Sequence, residues 1–483
     1  MNNSKNEQRW VLPVLIALIG GFMSILDSSI VNVAISTMMN VFHSTAGQIE
    51  WVVTVYMLAL GVVIPFSGWG GEKFGYKNLY IFALIMFTFG SLLCSISWSV
   101  GTLIISRVIQ ALGGGLLMPT MMTMVKKIVP EGSFGTAMGI VGVALLIAPA
   151  LGPTIGGYLV EYIGWKWIFT INIPIGIIGI ILAFLFLPKF ERSKVSQLDI
   201  GGAVTIVITL FSLLLALSKG RDWGWTSGQT VSLLLLSLAA FCIFLFFELK
   251  LTAPLLNLRV FRYRNFSFAN ITTMITTVGL FSGLFFVPLF LQNIKGLGAL
   301  ETGLIMLPGA LASGLLMPLV GKLFDKLGPK PLAIFGIISL SVTTYLLHGI
   351  DLDTGNRQII LWMILRGVSM SFAAVSAQAA SLDSVSKLEV GDASAISNII
   401  SRVSASFGIA VLTSILTSRT AHHAQAISVR LASAGADAAK QASQIQAMAF
   451  VKGLDDIFLI ASALTLAGLV PAMFLKKKTA QKL

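Results

Sequence analysis

GWGGEKFGYK at residues 68–77 and GKLFDKLGPK at residues 321–330 are two copies of one pattern. Each has Gly first, an acid fifth, Lys sixth, Gly eighth and Lys tenth. Gly68 and Gly71 let helices approach closely, and Gly75 permits a sharp reversal of the chain. Glu72 and Lys73 are placed to bridge to neighbouring helix ends, and Asp325 holds the acidic position of the second copy. A lone copy reads equally well as a hairpin turn with basic residues that orient it. Two copies at matching places point to a gate. The copies are 253 residues apart, too far for six membrane spans and right for six plus two. Parallel halves related by an axis along the membrane normal are a transporter architecture.

Composition leads to the same class. Of 483 residues, 56% are hydrophobic and 11% charged, against about 25% charged in soluble domains. Such a chain cannot wet the surface of a globule of this size, which excludes a soluble enzyme. Apolar stretches fall at 11–34, 50–69, 78–98, 102–124, 134–160, 166–187, 200–217 and 229–248, then at 265–290, 301–320, 331–348, 358–380, 392–418 and 454–475. Fourteen spans of about 22 residues each suit a bilayer. The expected fold is an all-α integral membrane protein: a six-helix bundle at 1–190, a two-helix insert at 191–255, and a second six-helix bundle at 256–483. The segment 420–453, rich in Ala, Gln, Ser and His, reads either as an extramembrane helical hairpin lying on the surface or as a loop.

The net charge of +13 follows from membrane topology rather than nucleic-acid binding. Twenty-one of the 33 Lys and Arg fall on the side carrying both termini and nine on the other. That bias puts both termini in the cytosol and 420–453 outside, in a multi-pass protein of the cytoplasmic membrane. The first apolar stretch runs on into a full span, so no cleavable signal peptide is expected. Cys94 and Cys242 both lie inside spans, which leaves no basis for a disulfide framework or a metal cluster.

Charges inside spans are costly and default to function. They are Asp27, Arg107, Arg366 and Arg402. Asp27 should lie about 12 Å below the outer edge and Arg107 about 9 Å, by the helical rise, making them a candidate ion pair. An arginine favours the charged carboxylate and burial disfavours it, so a balanced Asp27 can take up or release a proton as a cavity opens. A static structural pair is the plainer alternative. Arg366, in ILRGVS, looks like the second-half counterpart of Arg107. For it and Arg402, bonding to backbone carbonyls competes with a transport role. In the fifth span, Pro149 and Pro153 favour a bend, and Gly152 and Gly156, with Gly135, Gly139 and Gly142, make small-residue stripes suited to a flexing interface between halves. Candidate cavity residues are Asn32, Tyr56, Gln110, Asn172 and Arg366, with Met118, Met121 and Met122 as apolar lining; core packing is the simpler fate for any one of them. No G-x-x-x-x-G-K-[ST] loop, metal-ligand cluster or catalytic triad is visible. The expected energy source is therefore an ion gradient or the substrate's own gradient, with no cofactor.

With these residues in hand, the chain resembles the major facilitator superfamily in its fourteen-span drug:proton antiporter branch. LDSSIVNVAI (26–35) is similar to that branch's first-span signature, with its acid at Asp27. Residues 68–77 resemble the superfamily's loop motif, with Glu72 where Asp is usual and Tyr76 where a basic residue is usual. ISRVIQALGGG (105–115) resembles the fourth-span motif, whose arginine, here Arg107, the resemblance implicates in proton transfer. PALGPTIGG (149–157) resembles the fifth-span motif of exporters. The resemblance implies proton-coupled export of amphipathic drugs or toxic compounds by alternating access, with small molecules, protons and the bilayer as partners and no nucleic acid. It leaves an accessory export protein undecided. An exporter dedicated to one physiological metabolite, anionic or lipid-like, and a non-transporting membrane sensor are the alternatives.

Overall fold

The computed structural model describes residues 10–192, 198–251, 254–433 and 442–477. The basic residues Lys5, Arg9, Lys194, Lys440, Lys478 and Lys482, which enter the charge count, lie outside the described residues. Among the described residues there is no strand. Twelve helices are long and apolar enough to cross a membrane, and two bent pairs raise the number to as many as fourteen.

In chain order the first six are α1 (Val11–Phe42), α2 (Gly47–Val63 and Phe66–Phe74, bent by 56°), α3 (Tyr76–Ser95), α4 (Val100–Ile128), α5 (Phe134–Pro149 and Leu151–Ile163, bent by 42°) and α6 (Trp167–Phe186). Next come α7 (Ile200–Trp223) and α8 (Gly228–Lys250). The last six are α9 (Arg264–Asn293), α10 (Leu300–Leu327), α11 (Pro329–Gly349), α12 (Asn356–Asp383), α13 (Val390–Ser433) and α14 (Ser443–Met473). Trp10 and Leu475, near the two described ends, belong to one apolar cluster.

Local chemistry explains where the helices start and turn. Ser99 and Thr102 cap α4 reciprocally, and the side chains of Asp199 and Ser227 accept from the first turns of α7 and α8. Gly75 (φ 86°) and Gly328 (φ 83°) reverse the chain after α2 and α10. They occupy the eighth position of the two sequence copies, where a side chain would be strained. The Tyr80 hydroxyl hooks α3 to α1, donating towards the carbonyls of Ile16 and Ala17 and accepting from the Gly20 N–H at 2.9 Å.

In the middle of the chain, α7 packs on α8, α2 and α13. Lys219 pairs with Glu50 of α2 at 2.5 Å, and Trp225 Nε1 donates to Ser414 Oγ of α13 at 2.7 Å. One hairpin thus touches helices of both sequence halves. Over its most apolar window α8 is only 22% buried, against 56% for α7, so α8 is the lipid-facing member of the pair.

The segment 420–453 differs from the expectation of a hairpin lying on the surface. Its described parts are direct continuations of α13 and α14, which begin or end about eleven to fifteen residues beyond the expected spans. Residues 434–441 lie outside the described residues. At 1.5 Å per residue, a 44-residue α13 is about 66 Å long, roughly twice the hydrocarbon thickness. Alanine-rich sequence sustains a helix without an apolar period, which is why composition alone left this segment open.

Candidate functional site

Asp27 on α1 has no exposed surface, and neither does Arg107 on α4. Arg107 Nη1 donates to Asp27 Oδ2 at 2.5 Å and to Gln110 Oε1 at 2.6 Å. Asp27 Oδ1 accepts from Gln110 Nε2 at 2.8 Å and from Asn172 Nδ2 of α6 at 3.0 Å. Gln110 Nε2 also donates to Ser91 Oγ of α3 at 2.7 Å. The Arg107 guanidinium lies 3.6 Å from the centre of the Tyr56 ring, and its Nε donates to the Val52 carbonyl of α2 at 3.3 Å. Five helices therefore meet at one buried ion pair. Arg107 and Gln110, three apart on α4, point to one side of the helix and reach α1 together.

The sequence-predicted pair is thus in contact, with Tyr56, Gln110 and Asn172 as its immediate partners rather than as free cavity walls. Asn32 and Met118 are not in this network. Asn32 sits in the short 3-10 turn of α1 with an exposed side chain. Met118 is half-buried and lies against Gly21 of α1. Arg366 is sealed inside the second half. It donates to Thr344 Oγ1 at 2.6 Å, to the Leu280 carbonyl at 3.2 Å and to the Gly279 carbonyl, with 1% of its surface exposed. That is the backbone-carbonyl arrangement, not a cavity surface. Ser91, Val52 and Phe169, the last 5.6 Å from Arg107, complete the surroundings and have no signal in the sequence. Neutral side chains and a carbonyl carry no charge pattern by which to find them.

The gate residues divide. The first glycine of each copy is a point of close approach to the other half. Gly68 of α2 lies against Gly391 and Asp392 of α13, and Gly321 of α10 against Gly135 and Thr136 of α5. Asp325 accepts from the Gly135 N–H at 2.7 Å, the Thr136 N–H at 2.9 Å and the Thr136 hydroxyl at 2.8 Å, capping α5 from the opposite half. Glu72 has no such role among the described residues. Here α13 carries its own first-turn acid, Asp392, with Oδ1 at the surface of Gly68. Glu72 does face a neighbouring helix end, within electrostatic reach of Lys127 in the last turn of α4, whereas Lys73 does not. It is exposed and lies over Trp69 of its own helix, 4.5 Å from the ring centre. Gly71 is covered by the Tyr76 ring, whose face takes Lys127 at 4.9 Å. Two further ties join the halves: Lys126 of α4 pairs with Asp383 of α12, and Ser394 of α13 donates to the Pro119 carbonyl at 2.9 Å.

The glycines of α5 form two faces. Gly135, Gly139 and Gly142 lie against Gly321 and Met317 of α10, across the interface between halves. Gly152 and Gly156, beside Pro149 and Pro153, lie instead against Ser29 and Ile30 of α1, two and three residues beyond Asp27. One bent helix therefore touches both the Asp27 helix and the opposite half.

The family model of the Major Facilitator Superfamily matches residues 17–409. The chain belongs to the Major Facilitator Superfamily. It is 37% identical over 422 residues to YhcA of Bacillus subtilis, described as an uncharacterised MFS-type transporter, covering 87% of this chain and 79% of that one. It is 31% identical to the Bacillus subtilis multidrug transporter protein MdtP (87% and 78% covered). It is 30% identical to the lincomycin resistance protein LmrB of Listeria monocytogenes (84% and 86% covered). In fold it resembles the human organic anion transporter MFSD10 (TM-score 0.65, 12% identity, 96% and 99% covered). It also resembles the proton:xylose symporter XylE (TM-score 0.62, 14% identity, 98% and 97% covered). This Major Facilitator Superfamily member is a multi-pass membrane transporter of small molecules, not an enzyme.

Proposed function

We propose that this transporter is a proton-coupled antiporter that exports amphipathic drugs or other toxic compounds across the cytoplasmic membrane by alternating access, with both termini cytosolic. The observation that carries the reading is the buried Asp27–Arg107 pair, whose carboxylate accepts three hydrogen bonds and has no exposed surface. A proton arriving at Asp27 turns one acceptor oxygen into a donor, and at least one of those bonds is lost. The attraction to Arg107 goes with it, leaving the guanidinium to Gln110 Oε1, the Val52 carbonyl and the Tyr56 ring. Breaking a buried pair on one side costs about 3–5 kcal/mol, enough to bias a two-state equilibrium strongly.

The fold offers that bias a route outward. The movement of α1 is felt by α5 at Gly152 and Gly156, and the other face of α5 forms the interface with α10. A conformation open to water at Asp27 then alternates with the sealed one described here. The relatives named for multidrug transport and lincomycin resistance support the drug-export part of the reading.

Dye-loaded cells expressing the protein test it. Efflux should collapse on adding a protonophore while cellular ATP is held constant. Efflux that persists through the protonophore and stops only on ATP depletion would overturn the proposal.

A further inference from the structure

Three arginines lie inside the spans, and two are accounted for. Arg107 is neutralised by Asp27, and Arg366 is wrapped in neutral oxygens and has almost no exposed surface. Arg402 is different. It sits twelve residues into α13 from Val390, about 18 Å along the helix, close to the middle of a bilayer about 30 Å thick. The residue as a whole is half-buried. Its one hydrogen-bonding partner among the described residues is the thioether of Met57 on α2, 3.7 Å from Nη1. A methionine sulfur is a weak acceptor, and a guanidinium has five N–H groups to satisfy. No carboxylate among the described residues pairs with it.

Its position is equally specific. Gly391, Ser394, Asn398 and Arg402 recur at helical spacing on α13, and three of them meet the first half: Gly391 at Gly68, Ser394 at the Pro119 carbonyl, Arg402 at Met57. That face is the one that separates when the halves part. Met57, Ile399 and Val403 are partly buried apolar side chains at the same level, suited to an apolar body. Met57 also follows Tyr56, on which Arg107 stacks, so the site is one residue removed from the Asp27 network.

We propose that Arg402 is the recognition point for an acidic group on the substrate, and that the preferred substrates are amphiphiles bearing one carboxylate. The proposal rests on the export reading above and names its substrate class. A guanidinium presents two parallel N–H donors that match a carboxylate. Asp27 and Arg107 cancel one another, leaving one uncompensated positive charge at this level of the interface. A monoanion neutralises it, whereas a phosphate dianion brings a surplus charge into a poorly solvated site.

The test is a fluorescence titration of the purified full-length protein at neutral pH, without any gradient. The probes are dansylaminoundecanoic acid and its methyl ester, which share size and apolarity and differ in the carboxylate. Wild type should bind the acid at least about tenfold more tightly than the ester, the scale of one charge-assisted contact. Arg402→Gln should weaken the acid alone and bring the ratio to about one, while Arg402→Lys, which keeps the charge and loses the fork, retains part of it. Equal binding of the two probes by wild type, no saturable binding of the acid, or an unchanged ratio in Arg402→Gln would each overturn the proposal. Should Arg402→Gln fail to purify as a monodisperse species, wild type against Arg402→Lys decides. Because binding is read without a gradient, failure of proton-driven efflux leaves this result standing. Conversely, loss of the acid preference leaves protonophore-sensitive efflux untouched.

Discussion

Replacing Asp325 by alanine removes the cap that one half places on the other. The carboxylate accepts three hydrogen bonds from Gly135 and Thr136 at 2.7–2.9 Å, and these exist only while the inner ends of α5 and α10 are together. Hydrogen bonds to a charged group are worth about 1.5–3 kcal/mol each when buried. Asp325 is half-buried, and water can reach the freed N–H groups in the variant. Discounted accordingly to about 1 kcal/mol apiece, the loss is about 2–3 kcal/mol from the inner-closed state alone. At 1.4 kcal/mol per decade this moves the equilibrium by about 30- to 150-fold towards an inner-open state. Spin labels at the exposed positions Glu131 and Lys322, on the loop before α5 and near the end of α10, report the separation by pulsed dipolar spectroscopy. In Asp325→Ala the short-distance population should shrink in favour of a longer one, with Asp325→Asn intermediate because its amide keeps one acceptor. A distance distribution identical to that of the labelled parent would refute the clamp, leaving the Lys126–Asp383 pair and the Ser394 bond to hold this end shut.

Two further outcomes are expected. A cysteine at the exposed Gln425, on the extension of α13, should react from outside intact cells with a membrane-impermeant maleimide, while one at Lys330 should react only after permeabilisation; the reverse pattern would invert the topology. Gly152→Ala should lower efflux because its new methyl group meets Ser29 on α1, and Ser29→Gly should restore much of the loss; no rescue would separate the α1–α5 contact from transport.

Much of this is legible in the amino-acid sequence, for definite physical reasons. A carboxylate and a guanidinium in apolar spans are expensive enough to stand out, so Asp27 and Arg107 could be paired by depth alone. The eighth-position glycines were legible because a tight reversal needs positive φ, which both Gly75 and Gly328 adopt. The neutral part of the network was less visible. Gln110, Tyr56 and Asn172 looked like any polar cavity residue, and Ser91 gave no sign at all. Glu72 and Asp325 occupy equivalent places in the two copies, yet only Asp325 caps a helix across the interface. At the other copy the acid beside Gly68 is Asp392, supplied by α13 more than 300 residues away from Glu72, which no local pattern registers. Arg402 stands out in the sequence as a charge inside a span, but its contact is a sulfur and not the backbone carbonyls the sequence suggests, and a thioether leaves no trace in spacing or charge.

The central claim is that Asp27 carries the coupled proton. Proteoliposomes loaded with a pH-sensitive dye and given a gradient of a transported dye substrate measure it directly. Wild type should move protons opposite to the substrate. Asp27→Asn, which keeps the side chain's shape and its bonding to Gln110 or Asn172, should bind substrate and move no protons. Substrate-driven proton movement of wild-type size in Asp27→Asn, or substrate movement by wild type without any proton flux, would contradict the account.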